Sequence, residues 1–332
     1  MRSESGAAPV HRLMIASECR MTGSVVEQLL GLRAEICRFN ASRGVRTAIW
    51  YSAGWFLQWH EGPLAAIDQV WTLSAAHPGH SGQRLIHRSQ GPAGLAGRLH
   101  LSTAHNRDTP ADVARRIHRM ERERELGWTA EPLEIWQHLS APCLAQELGA
   151  VAAVARGHVV AVTSESTESV DLVKAIAERR RADVTYQRFA DGDLRSGDIG
   201  AAYVDVADGG QMTRVQALSR RALANGMVRV GLQRTQCLVL LLGDRPGAAA
   251  KLAGSVAELL AEMDVRPAVR LLGPSGDACG EAGSALARLQ GLDIAARKAG
   301  TPGHSLVDAL LDVVGDFQQA AHQAAERGVT QD

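Results

Sequence analysis

The 332-residue chain has no excess of charge, with 36 lysines and arginines against 36 aspartates and glutamates. Nucleic-acid backbones are held by clustered cations, so nucleic-acid binding is not expected. Its five cysteines (Cys19, Cys37, Cys143, Cys237 and Cys279) are odd in number, far apart and without C-x-x-C spacing. That excludes a disulfide frame and reads as reduced thiols in the cytoplasm. No run approaches the ~18 apolar residues of a membrane span, and MRSESGAAPVHR lacks the apolar core of a signal peptide. No membrane attachment is expected. Catalytic signatures are missing too: there is no G-x-S-x-G elbow and no H-E-x-x-H, and Ser275 has no identifiable base. The chain reads as non-enzymatic.

What is present is a globular composition, 45% apolar and 22% charged, with length enough for two cores. Residues 1–10 read as a flexible lead. His11 to Ser17 is a first strand, and Thr22-Gly23-Ser24 caps a helix whose apolar face is Val26, Leu29, Leu30, Leu32, Ile36 and Phe39. Thr47 to Tyr51 is rich in β-branched and aromatic residues, Ser52-Ala53-Gly54 supplies a turn, and Trp55 to His60 returns antiparallel. Alternation then places Trp55, Leu57 and Trp59 on one face and Phe56, Gln58 and His60 on the other. A buried amide at Gln58 needs a partner, since a lone one costs about 1–3 kcal/mol. Gly62-Pro63 opens a second helix with Ile67, Val70, Trp71 and Leu73, broken at His77-Pro78-Gly79-His80. Gln83–Arg88 and Arg98–Thr103 are further strands. The order β-α-β-β-α-β-β is that of a ferredoxin-like α+β sandwich.

The hairpin pattern N-A-x-x-x-x-x-x-A-x-x-Y-S-x-G-x-F-x-Q-W-x-E-G, followed by a helix and H-P-x-H, resembles the BLUF family of flavin-binding blue-light sensors over about residues 11–105. Asn40, Tyr51, Ser52, Gly54, Phe56, Gln58, Glu61 and Gly62 match without gaps. The resemblance implies FAD between the two helices, hydrogen-bonded by Asn40 and Gln58, with His80 as the second histidine of the turn. It also implies that light rearranges the glutamine amide after electron transfer from a first-strand tyrosine. Read from the residues alone, Gln58 could instead bond backbone or water, and Asn40 could cap its helix.

Four departures fall on the same pocket. Ile15 stands at the family tyrosine, and an aliphatic side chain can donate neither an electron nor a hydroxyl hydrogen. Gly44-Val45-Arg46-Thr47 replaces G-[IL]-T-G, Gly79 stands where an arginine is frequent, and Leu99-His100-Leu101 stands where the pattern has Trp-x-Met. Impaired photochemistry is the consequence. The hairpin tryptophans are expected in the core or on a partner surface, and His77 and His80 as turn residues rather than metal ligands.

Residues 106–150 read as a helical cap or connector: Thr109-Pro110-Ala111-Asp112 starts a mixed-charge helix, and Trp128 and Trp136 mark the irregular stretch after it. A boundary near 145–157 leads to a domain at 151–325. There His158–Thr163, Asp183–Phe189, Gly200–Val206, Cys237–Leu242 and Ala268–Leu272 read as strands. Segments reaching Arg181, Thr213–Ala224, Ala248–Met263 and a stripe of Leu306, Leu310, Val313 and Phe317 read as helices. The alternation predicts a doubly wound parallel α/β domain. Its element order is similar to a Ras-like P-loop GTPase or a flavodoxin-like regulatory domain. The loop Thr163-Ser164-Glu165-Ser166-Thr167 lacks G-K-[ST], however, Asp205-Val206-Ala207-Asp208-Gly209 meets the metal-site D-x-x-G only loosely, and Gly273 to Asp277 lacks a base-reading motif.

The expectation is a cytoplasmic BLUF-like regulatory protein that carries FAD, has impaired photochemistry, and signals through a protein partner or as a homodimer. Two rivals are a cofactor-free adaptor of two degenerate domains and a nucleotide-dependent switch of pseudo-GTPase type.

Overall fold

The computed structural model describes residues 9–141, 156–164, 166–193, 197–208, 211–243, 245, 247–263, 265–299 and 305–329. Most of the expected lead, the boundary near 145–157, Cys143, Glu165 and Gly209 lie outside them. The chain divides into two compact units. The first comprises 1–142 together with 187–198 and 225–230, and the second holds the remainder.

The first unit runs β1 (Val10–Cys19), α1 (Val25–Arg43), β2 (Arg46–Ser52), β3 (Trp55–Gly62), α2 (Leu64–Ala76), β4 (His80–Gly91), β5 (Leu99–His105), α3 (Pro110–Glu125) and α4 (Pro132–Ser140). Its strands lie in the order β5-β2-β3-β1-β4, with residues 187–191 beside β5. β2 and β5 are parallel; the other pairs among these five strands are antiparallel. The β2–β3 register is set by a two-residue turn. Ala53 (φ 46°) and Gly54 (φ 77°) are both left-handed, the conformation that matches strand twist. Ser52 therefore faces Trp55, and Thr47 faces His60.

α1 begins where Ser24 accepts the Glu27 N–H and ends at left-handed Gly44 (φ 65°). α1 and α2 pack on one face of the sheet. Phe56 sits among Val25, Leu29, Ile49, Leu99 and Leu101, while Leu13 and Ile15 meet Ile67 of α2. The opposite face carries Trp55, Leu57 and Trp59, as strand alternation requires. It is covered by α3 and α4. The Trp55 indole donates to the Pro110 carbonyl (3.1 Å), and the Trp59 ring lies 6.2 Å from that of Trp136. α3 carries a full capping box between Thr109 and Asp112.

The second unit contains β6 (Arg156–Thr163) and α5 (Ser166–Arg180). β7 (Val184–Asp191) is divided between the two units. β8 (Ile199–Asp208), β9 (Gln211–Ser219) and a 3-10 turn (Arg220–Ala224) come next. α6 (Gly226–Leu232) is again divided. β10 (Cys237–Leu241), α7 (Ala248–Met263), β11 (Ala268–Gly273), α8 (Gly276–Leu286), β12 (Ile294–Lys298) and α9 (Leu306–Val329) complete it. Strand order is β12-β11-β10-β6-β9-β8. The first five are mutually parallel, and β8 is an antiparallel edge. Leu272 joins the core that contains α5 and α9, while its neighbour Leu271 meets α8 near Gly283, so both faces of the sheet are packed.

One expected element is corrected. Thr213–Ala224 is a strand followed by a 3-10 turn, not a helix. Thr213, Val215 and Ala217 alternate into the core between β6 and β8, and the ladder bonds on both sides outweigh the helical reading of those residues.

Candidate functional site

The sequence-marked residues of the first unit converge on the helical face of its sheet. Gln58 lies in the middle of β3, opposite Ile15 on one side and Ile49 on the other. Side chains directly opposite in a sheet share a face, so Ile15 stands beside the glutamine where the resemblance places a phenol. Ile15 is fully buried and packs against Leu13 and Ile67. Asn40, near the end of α1, is 2% exposed and Gln58 is 5% exposed, so bulk water satisfies neither amide.

Protein groups do so instead. Asn40 Nδ2 donates to the Arg98 carbonyl at 2.6 Å, and Thr47 Oγ1 lies 3.4 Å from Asn40 Oδ1. The Thr47 hydroxyl is also 3.0 Å from His60 Nδ1, and His60 Nε2 is 3.0 Å from Gln58 Oε1. Gln58 Nε2 reaches Ser74 Oγ and His80 Nδ1, both at 3.5 Å, and Ser17 Oγ is 2.9 Å from the same His80 nitrogen. One chain of polar contacts thus runs Asn40–Thr47–His60–Gln58–His80–Ser17 across the buried face.

Sequence reasoning placed Asn40, Gln58 and His80 in this neighbourhood but missed Thr47 and His60. The signal was available: a two-residue turn fixes Ser52 against Trp55, and counting back along both strands puts Thr47 against His60. Burial holds His60 neutral, pushing it down to about 3 with a smaller contribution from nearby His80. His80 falls to about 4 for the same reason, with His77 adding to the effect.

A flavin can be tested against these donors. Asn40 Nδ2 has a second hydrogen, and the Gln58 Nε2 contacts are at the outer limit of a hydrogen bond, so both amides retain donor capacity for a ring carbonyl or nitrogen. The donor set fits, and Asn40 and Gln58 are the residues that would hold the ring. The aliphatic wall at Ile15 offers no hydroxyl to Gln58.

The remaining marked residues have structural duties. Trp50, Trp55 and Trp59 are 2%, 5% and 2% exposed, in the core, the first of the two places expected for them. The His77 and His80 rings touch edge to face at 5.2 Å, and His77 Nδ1 accepts the Gly79 N–H, closing the turn. Among the described residues no three His, Cys, Asp or Glu side chains group to hold a metal. Glu61 is buried, and its carboxylate accepts the N–H groups of Gly94 and Leu95 at 2.9–3.0 Å. His100 faces away from the amides. Its Nε2 accepts the Gly97 N–H, and its ring occupies the space a side chain at Gly226 would need.

In the second unit, Asp205 does not present a metal site. Both its carboxylate oxygens are held by Arg214 at 2.8 Å, and the guanidinium also covers the Tyr203 ring at 3.9 Å. No helix of the described residues is long and apolar enough to cross a membrane.

No protein-family model matches the chain, and no curated protein does. The solved structures it is similar to include BLUF proteins. The first, titled BlrP1 BLUF, shares 15% identity over 29% of this chain and 66% of its own length, with a TM-score of 0.26. BlrB, a BLUF protein in its dark state, shares 22% over 28% of this chain and 72% of that one, with a TM-score of 0.25. BlsA in its ground state shares 15% over 40% and 89%, with a TM-score of 0.30. This chain spans just under two thirds of the BlrP1 BLUF structure.

Proposed function

We propose that the first unit is a flavin-binding regulatory module of BLUF type, resident in the cytoplasm, whose blue-light photochemistry is impaired and whose output is a protein contact. The observation that carries this reading is the pair of buried amides, Asn40 and Gln58, on the helical face of a β-α-β-β-α-β-β sheet, with donor capacity left over. FAD is the cofactor the sequence pattern favours. A bound flavin supplies the visible chromophore and the one-electron chemistry. Ile15, facing Gln58, supplies neither the electron nor the hydroxyl that the usual response draws on.

The second unit is proposed as a doubly wound, non-catalytic interaction domain. Its strand order reverses direction at β6, as in nucleotide-binding α/β folds. It lacks a phosphate-loop lysine, and Asp205 is committed to Arg214.

One observation favours a second reading, a cofactor-free adaptor. His60 and the Arg98 carbonyl already give both amides partners inside the protein. The two readings separate on one titration. Protein purified in the dark and incubated with FAD is expected to retain flavin absorbance after gel filtration, and the Gln58→Leu variant to retain less. A colourless wild type after incubation overturns the sensor reading. Illumination is expected to give no red shift in the wild type, and one in Ile15→Tyr.

A further inference from the structure

We infer that Thr47 and His60 form a hydrogen-bond relay that ties the Asn40 and Gln58 side chains into two joint states, with His60 the residue that positions the Gln58 amide. The flavin reading above enters only as the identity of a ligand that would turn the relay; the relay is made of this chain's own atoms.

The Thr47 hydroxyl has one hydrogen and two acceptors within reach, Asn40 Oδ1 at 3.4 Å and His60 Nδ1 at 3.0 Å. A neutral imidazole has one N–H, so His60 donates on one side and accepts on the other. These limits leave two consistent arrangements. In the first, His60 Nε2–H donates to Gln58 Oε1, the Thr47 hydroxyl donates to His60 Nδ1, and Asn40 Oδ1 receives nothing from Thr47. Gln58 Nε2 then donates to Ser74 Oγ, and the lone pair of His80 Nδ1 accepts from Ser17. In the second, every donor reverses. The amide turns its nitrogen to His60 Nε2, His60 Nδ1–H donates to Thr47, and the Thr47 hydroxyl is released to Asn40. Ser74 then donates to the turned Gln58 oxygen, and His80 Nδ1–H to Ser17.

No heavy atom outside the amide has to move between these states, and His60 and His80 each change tautomer, giving one ring proton to water and taking one from water at the other nitrogen. Burial keeps His60 and His80 neutral, which the relay requires, because an imidazolium donates at both nitrogens and accepts at neither. A group that turns the Gln58 amide on β3 therefore changes the bonding of Asn40 on α1. Both relay residues sit on the hairpin, as one cross-strand pair.

The test uses the full chain without added flavin, so failure to bind flavin leaves its outcome unaffected. In histidine- and asparagine-labelled protein, long-range proton–nitrogen spectra read the His60 tautomer, and the side-chain NH2 signals read Asn40. Wild type is expected to hold the Nε2–H tautomer. Gln58→Met removes the acceptor, and a buried N–H without a partner is costlier than a bare lone pair, so the proton moves to Nδ1. The Asn40 signal should then shift as Thr47 turns to it. In Thr47→Val the same Gln58→Met change should leave Asn40 where it was, and Thr47→Ser should restore the response. If Gln58→Met does not fold, Thr47→Val alone is read: Asn40 unchanged from wild type is expected in the Nε2–H state, together with loss of the His60 Nδ1 bond. An unmoved tautomer in folded Gln58→Met, or an Asn40 response that survives Thr47→Val, overturns the relay.

Discussion

Between sheet and helices the first unit holds Asn40, Thr47, Gln58 and His60 in mutual contact, and Arg12, Glu61 and His100 are buried elsewhere in it. The second unit's largest core cluster is aliphatic, with Val159, Val173, Ile176, Val204, Val239 and Leu310, and the Asp205–Arg214 ion pair lies on the other face of β8 and β9. Aliphatic burial stabilises at about 25 cal/mol per Å² and needs no partner. Buried amides and imidazoles contribute little net stability even when satisfied, and are costly when they are not. The second unit, built on a six-stranded sheet, carries fewer of them, with His158 and Gln318 among its described residues. The difference is one of content: a buried polar strip in the first unit and a mainly aliphatic core in the second.

That contrast can be tested most severely at the second unit's Asp205–Arg214 pair. Arg214→Ala leaves the Asp205 carboxylate buried and unpaired, and should cost about 3–5 kcal/mol. Arg214→Met with Asp205→Leu should recover most of it. All six tryptophans lie at or before Trp136, so their fluorescence reads the first unit while far-UV circular dichroism reads both. The Arg214→Ala loss is expected mainly in the dichroism melt. An equal loss in tryptophan fluorescence would contradict the assignment of that pair to a separate core.

Acid should sharpen the contrast. The folded values of His60 (about 3) and His100 (about 4) lie below the unfolded 6.5, so the unfolded chain binds more protons in that window. Stability is complete above about pH 6.5 and falls as the pH drops. At pH 5 each such histidine removes about 2 kcal/mol, at 1.36 kcal/mol per pH unit. The second unit has one equivalent among the described residues, His158, held down to about 4 by burial and by Arg214. The tryptophan-reported unfolding midpoint should therefore fall further between pH 7 and pH 5 than the dichroism midpoint. His60→Leu should flatten that dependence, and a profile unchanged by His60→Leu would remove His60 from the account.

The smallest effect belongs to the cover on the opposite face of the first sheet. Thr109→Ala removes the cap of α3 and should cost about 1 kcal/mol, seen as a lowered melting temperature with the hairpin fluorescence otherwise unchanged.

Much of this was legible in the sequence because it is local. Ser24, Gly44, Pro63 and Thr109 punctuate their helices through their own backbone chemistry, and the period-2 pattern of Trp55 to His60 assigns its faces without knowledge of the rest of the chain. β9 was not legible. Thr213–Ser219 is a strand because β6 and β8 flank it, and that is a fact about residues far away in sequence. The site divides the same way. Gln58 stood out as a polar residue on an apolar face, whereas His60 looked like ordinary alternation until the register set it against Thr47. Which residue satisfies a buried amide depends on pairing, and pairing is the last thing a single sequence discloses.

The turn at Ala53-Gly54 limits how this chain can change in length. The Thr47–His60 contact depends on two residues, no more and no fewer, joining β2 to β3. A single-residue insertion or deletion in either strand would carry Gln58 and His60 to the tryptophan face and bring Trp59 beneath the helices. Substitutions along the hairpin leave this register intact, whereas a change of frame does not. Sequences that keep this device should therefore vary in their letters across the hairpin and hold its length fixed.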